Sequence, residues 1–124
     1  MFSDELPLAG KSVLVVEDEP LIAMNVEADL QDAGVAVVKI ADSVAAARRA
    51  IDEGKFDAAV IDLRVADGDA GPLIQVPSER GTPVVVTTGE SAHGELPDLS
   101  KAVAILQKPY PQGDLVKVVA WLVK

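Results

Sequence analysis

The sequence predicts an open α/β domain: a doubly wound, five-stranded parallel sheet in the order 2-1-3-4-5, with helices on both faces. Three observations lead there. Short apolar runs alternate with helix-period stripes five times along 124 residues. The apolar half of the chain (49%) is mostly Ala and Val, with Phe2, Phe56, Tyr110 and Trp121 the only aromatics; small branched residues suit strands buried on both faces. Polar and acidic residues collect where the apolar runs end.

Ser12 to Val16 reads as the first strand. From Pro20 to Ala33 the pattern is helical, with Ile22, Val26, Leu30 and Ala33 on one stripe, Pro20 suiting the first turn and Gly34 the C-terminus. Val35 to Ile40 reads as the second strand. Asp42 or Ser43 can cap a helix that runs to about Glu53 and stops at Gly54. Ala58 to Ile61 is the third strand, closed by Asp62. Leu63 to Gly71 is acidic and Gly-rich, hence loop. A helix is expected near Pro72, short, kinked or restarted because Pro77 removes a hydrogen bond and crowds the preceding turn. Thr82 to Thr87 is the fourth strand, with Pro83 near its start. Gly89 to Ala102 gives a crossover of 14 residues, little more than a crossover needs, so its helix, the fourth, is expected to be short. Val103 to Leu106 is the fifth strand, and Leu115, Val118, Val119 and Leu122 form the stripe of a last helix. Residues 1–10 read as an N-terminal extension and residues 11–124 as one domain.

Composition excludes several classes. Eleven basic against 20 acidic residues give a net charge of −9, which argues against nucleic-acid binding. The chain has no Cys and one His, His93, so disulfides, thiolate metal sites and polyhistidine sites are out. No apolar run approaches the ~18 residues of a membrane span, and Met1 to Leu8 lacks a basic leader region. A cytoplasmic location, with no membrane partner, is the expectation.

Ligands of such sheets bind beyond the carboxyl ends of the strands, where the winding reverses between strands one and three. Strand one ends in Glu17, Asp18 and Glu19, strand three in Asp62, strand four in Thr87 and Thr88, strand five in Gln107, Lys108 and Pro109. Adjacent strands lie about 4.8 Å apart, which puts Asp18 and Asp62 roughly 5 Å apart. Each like-charge pair then costs about 3 kcal/mol at an effective dielectric near 20. Glu17 adds to the repulsion and Lys108 offsets part of it. A bound cation explains why it is tolerated. All-oxygen ligands point to a hard ion such as Mg2+ that keeps waters and engages a phosphoryl oxygen. The remaining groups fit phosphoryl chemistry: an aspartate nucleophile, an ammonium and a hydroxyl.

These residues resemble the receiver domain of two-component response regulators, over about Lys11 to Lys124. The resemblance rests on Val13-Leu-Val-Val-Glu-Asp-Glu-Pro20, Asp62 after an apolar strand, Thr88 after Val84-Val-Val, and Lys108-Pro109-Tyr110. It implies the flavodoxin-like receiver fold. It implies Asp62 as phosphoacceptor, Glu17 and Asp18 as the acidic pocket with Asp18 a direct Mg2+ ligand, and the Arg64 carbonyl as a further ligand. It implies Thr88 as switch hydroxyl and Lys108 as the phosphoryl contact, often aimed by a cis Lys-Pro bond. Implied partners are a histidine kinase or histidine phosphotransfer protein as donor and a downstream protein bound by the last two strands and final helix. Arg80 to Gly89 is also similar to the signature of the FAT GUY subgroup, many of them single-domain regulators; Val86, Thr87 and Glu90 stand where that signature has Phe, Ala and Tyr.

The chain departs from the family at Val65-Ala-Asp-Gly-Asp69, where Met-Pro is common, and at Ile105, where many receivers carry an aromatic switch. Milder readings exist for single residues: Glu17 and Asp18 as helix-capping carboxylates, Asp62 as a turn residue, Thr87 instead of Thr88 facing the site, Lys108 as a solvated lysine. Asp67-Gly-Asp69 lacks the spacing of a calcium loop. His93 has no assigned role, Tyr110 packs under the lysine loop, and Arg48 and Arg49 form a solvated helix face. Three other functions compete. An aspartate-nucleophile phosphatase needs a carboxylate two residues after Asp62, where Arg64 stands. A flavin module needs a phosphate-cradling loop where Glu17-Asp-Glu19 stands. A receiver-like binding module that has lost phosphorylation is the remaining alternative. With no output domain after the last helix, the expected role is protein binding or phosphate shuttling without turnover on outside substrates.

Overall fold

The structure, a computed structural model, describes residues 6–63, 71–89, 104–111 and 113–123. Their elements follow in the order β1 (Ser12–Val16), α1 (Pro20–Asp32), β2 (Val37–Ala41), α2 (Val44–Glu53), β3 (Ala58–Asp62), α3 (Gly71–Glu79), β4 (Val84–Thr88), β5 (Ala104–Gln107) and α4 (Asp114–Leu122). All strand pairs are parallel, and the sheet order is β2-β1-β3-β4-β5, as predicted. The loop carrying Arg64 and Asp67-Gly-Asp69, the crossover with its expected fourth helix and His93, and Val103 lie outside the described residues.

Side chains alternate across the sheet and build two cores. Leu14, Val16, Ala59, Ile61, Val84 and Val86 pack with Ala47, Ile51, Leu73 and Ile74 of α2 and α3. Val13, Val15, Ala58, Val60 and Val85 pack with Val26 and Leu30 of α1 and Leu115 and Val119 of α4. β3, at the centre, is buried at every residue including Asp62.

Several element edges differ from the sequence reading. Val35 caps α1 instead of opening β2. Its N–H donates to the Leu30 carbonyl and that of Gly34 to Gln31, the paired bonds of a Schellman turn, with Gly34 at φ +105°. β4 starts at Val84 because Thr82 closes α3, its N–H on the Pro77 carbonyl and its hydroxyl on the Phe56 carbonyl. The apolar stripe of α1 runs through Ala23, Val26 and Leu30, and Ile22 turns outward. Pro77 does not interrupt α3: it stands in the seventh of nine positions, so only the last turn lacks its bond. Ser43, not Asp42, caps α2, its Oγ accepting from the Ala46 N–H. Ahead of β1, Leu8 is fully buried in the α1–α4 core and its N–H donates to the Ala33 carbonyl.

Candidate cation site at the carboxyl edge

The backbone ladder brings the polar strand ends together. Glu17 continues β1, its N–H on the Ala41 carbonyl of β2 at 3.0 Å. Asp62 is the last residue of β3, and the next N–H, of Leu63, donates to Thr87 of β4. The Lys108 N–H donates to the Thr88 carbonyl at 2.7 Å, which extends the β4–β5 ladder one step. The Lys108–Pro109 peptide is cis.

At this rim one carboxylate oxygen each from Glu17, Asp18 and Asp62 lies within 4.8 Å of the others. Glu17 and Asp62 are buried, and Asp18 is the most open of the three. The Lys108 ammonium joins two of them, with Nζ 2.9 Å from Asp62 Oδ2 and 3.1 Å from Glu17 Oε1. Glu17 Oε2 accepts from the Glu19 backbone N–H at 3.2 Å. Glu19 itself is the N-cap of α1, its carboxylate accepting from Leu21 N–H. An open cleft of about 950 Å3 joins this group to Ile22, Asn25, Gly89 and Tyr110.

Charges here perturb one another. Burial, then the Asp62 charge, push the Glu17 carboxyl above its ordinary value, more than the Glu19 N–H and Lys108 pull it down. Burial draws Lys108 down, but hydrogen bonds and charge from Asp62 and Glu17 outweigh it, and the net shift is upward. Burial raises the Tyr110 phenol. With all four acid-rim groups ionised, three carboxylates face one ammonium. The excess of negative charge, the oxygen-only donors and the more open third carboxylate fit a hard divalent cation that stays partly hydrated.

The structure thus brings Glu17, Asp18, Asp62 and Lys108 into one cluster. Thr88 stands at the end of β4 with its hydroxyl on the Gly89 carbonyl at 3.4 Å. Arg64 lies outside the described residues. The sequence reading passed over Asn25. Its signal was an amide one turn after Ile22 on the helix that leaves the acidic strand end, masked by placing Ile22 on the core stripe.

Residues 13–120 match the response regulator receiver domain family, and the chain belongs to that family. Solved structures agree on the fold. The receiver domain of a sensor histidine kinase from Pseudomonas aeruginosa, described with a magnesium ion in its active-site cleft, is 23% identical with a TM-score of 0.80, covering 93% of this chain and 98% of that one. A response regulator receiver protein from Sinorhizobium medicae is 26% identical, TM-score 0.73, covering 92% and 94%. A response regulator from Thermotoga maritima, described in complex with Mg2+-BeF, is 20% identical, TM-score 0.79, covering 90% and 98%. No curated protein matches the chain. Receiver domains are signalling modules of two-component systems. Among the described residues, no helix is long and apolar enough to cross a membrane.

Proposed function

We propose that the chain is a phosphoryl-accepting receiver of a phosphorelay, with Asp62 as acceptor. A carboxylate oxygen of Asp62 attacks the phosphorus of a phosphohistidine on a histidine kinase or histidine phosphotransfer protein. The P–O bond forms as the P–N bond breaks, and the imidazole nitrogen leaves with the electron pair and takes a proton. One observation carries this reading: the buried Asp62 carboxylate is held by the Lys108 ammonium at 2.9 Å, with two more carboxylates within 4.8 Å. Asp18, Asp62 and Glu17 would hold Mg2+, with the Arg64 carbonyl as a further ligand. When bound, the ion neutralises charge on the transferring oxygens. Lys108 neutralises one more, and the Thr88 hydroxyl donates to another.

Arg64 in place of a second acid two residues after Asp62 supports a protein that accepts phosphate without turning over outside substrates. Output runs through binding of a downstream protein or passing the phosphoryl group on, within the cytoplasm. The domain is taken as residues 11–124, in the manner of the FAT GUY subgroup, with the segment ahead of it seated on its core through Leu8. Magnesium in the cleft of the Pseudomonas receiver domain supports the ion assignment.

The test is intact-mass measurement after incubation with Mg2+ and acetyl phosphate, for the wild type and Asp62→Asn. The expected result is one phosphoryl adduct on the wild type alone. An adduct on both places the acceptor elsewhere. None on either, with kinases also failing, favours a receiver that only binds partners.

A further inference from the structure

We infer a second binding site at the amino edge of the sheet: a pocket between α2, α3 and the starts of β1 and β3 that takes a small monocarboxylate with an apolar body. It lies at the strand ends opposite the acid rim and goes beyond the phosphoryl chemistry.

The pocket holds about 280 Å3, near the small end of the range for ligand sites. Its apolar wall is Leu14, Ile51, Phe56, Ala59 and Pro77. Leu14, Ile51 and Ala59 are buried members of the α2–α3 core, and Phe56 packs against it. The wall is therefore a side of the core itself. Gly54 and Gly81 also line the pocket, and a Cβ at either would meet no atom within 4 Å. Neither position closes the space.

The polar groups divide into those already used and those with donors to spare. Asp57 Oδ2 accepts from the Ser12 N–H at 2.8 Å and from the Ser12 hydroxyl at 3.2 Å. The Thr82 hydroxyl donates to the Phe56 carbonyl at 3.2 Å. Arg80 donates one guanidinium N–H to the Ile51 carbonyl at 2.7 Å, and its Nη2 stands 4.0 Å from Asp52 Oδ1, beyond hydrogen-bond reach. A guanidinium has further donors to give. Lys55 makes no hydrogen bond or ion pair with any described residue. A chain of net charge −9 thus leaves an ammonium and most of a guanidinium beside an apolar wall.

Those two groups hold a carboxylate through charge-assisted hydrogen bonds. A phosphate dianion fits less well, because Asp57 lines the same pocket and Asp52 stands beside Arg80. The apolar body of the ligand covers the wall, and the Phe56 ring suits a flat one.

Benzoate is the probe, with benzamide as its neutral isostere. Each is titrated into isotope-labelled wild type, Lys55→Gln and Lys55→Arg, and amide and methyl signals are followed by NMR. Benzoate should bind saturably, with a dissociation constant of about 1 mM. Its ring protons should give NOEs to the methyl groups of Leu14, Ile51 and Ala59. Benzamide should bind about ten-fold more weakly. Lys55→Gln should weaken benzoate about five-fold, the upper range for an exposed charge pair, and Lys55→Arg should stay near the wild type. Shifts that never saturate overturn the inference, as do NOEs confined to other residues. Equal affinity for benzamide, or Lys55→Gln equal to the wild type, also overturns it. Binding is read without phosphorylation, so the outcome is separate from the role of Asp62.

Discussion

Removing the charge of Asp62 should not weaken the metal-free protein. At 4.8 Å and an effective dielectric near 20, one like-charge pair costs about 3.5 kcal/mol. Asp62 makes two, with Glu17 and Asp18, for about 7 kcal/mol together, of which the share of the more open Asp18 is reduced by water. The attraction to Lys108 at 2.9 Å is about 6 kcal/mol on the same scale. Asn leaves an oxygen for Lys108 and takes away both the repulsion and the burial penalty of an ionised carboxylate. Asp62→Asn should therefore lie between unchanged and about 1 kcal/mol more stable in chelator, a rise in Tm of up to about 5 °C. Urea unfolding of both proteins in chelator measures this. Added Mg2+ should then stabilise the wild type more than the variant, since only a ligand held by the native state contributes. A metal-free loss above ~2 kcal/mol, the range for leaving a buried partner group unsatisfied, would refute the reasoning.

Further outcomes follow from the same geometry. Glu17 has a folded pKa above its ordinary 4.5, so the native state holds more protons than the unfolded chain as pH rises from there. Its contribution to metal-free stability should fall over that interval, and Glu17→Gln should flatten the curve of urea midpoint against pH. Gly34→Ala should cost about 2 kcal/mol or more in urea unfolding. The residue has φ +105°, and a Cβ there would meet Ala9 N and Leu6 Cβ at 2.9 Å. Leu8→Ala should cost about 2–5 kcal/mol, as for other buried leucines. A cost near zero would show that the segment before β1 contributes nothing to the core.

The strand order and the cluster of Glu17, Asp18, Asp62 and Lys108 were legible because both follow from chain-local signals. Apolar runs mark the strands, winding rules order them, and each polar group ends one run. What escaped depended on hydrogen bonds between segments distant in sequence or on helix phase. Val35 looks like a strand residue but follows a left-handed glycine and seals α1. Thr82 looks like a strand start but binds back to Pro77 and Phe56. Ile22 fits a four-residue stripe, yet the helix faces the sheet one residue later, through Ala23, which frees Ile22 and Asn25 for the cleft. Leu8 reads as tail, and only the fold shows the pocket that receives it. Lys108 was expected to offset part of the repulsion; its simultaneous bond to two carboxylates required the register of β3 and β5 against β4.

The most direct test of a shared cation and an acceptor carboxylate is a crystal structure with Mn2+, a visible substitute for Mg2+, and beryllofluoride. The account expects one anomalous peak at roughly 2.0–2.2 Å from oxygens of Asp18 and Asp62, with beryllofluoride on Asp62 and the Lys108 ammonium turned to it. Manganese bound away from those two side chains, or beryllofluoride absent from Asp62, would contradict it.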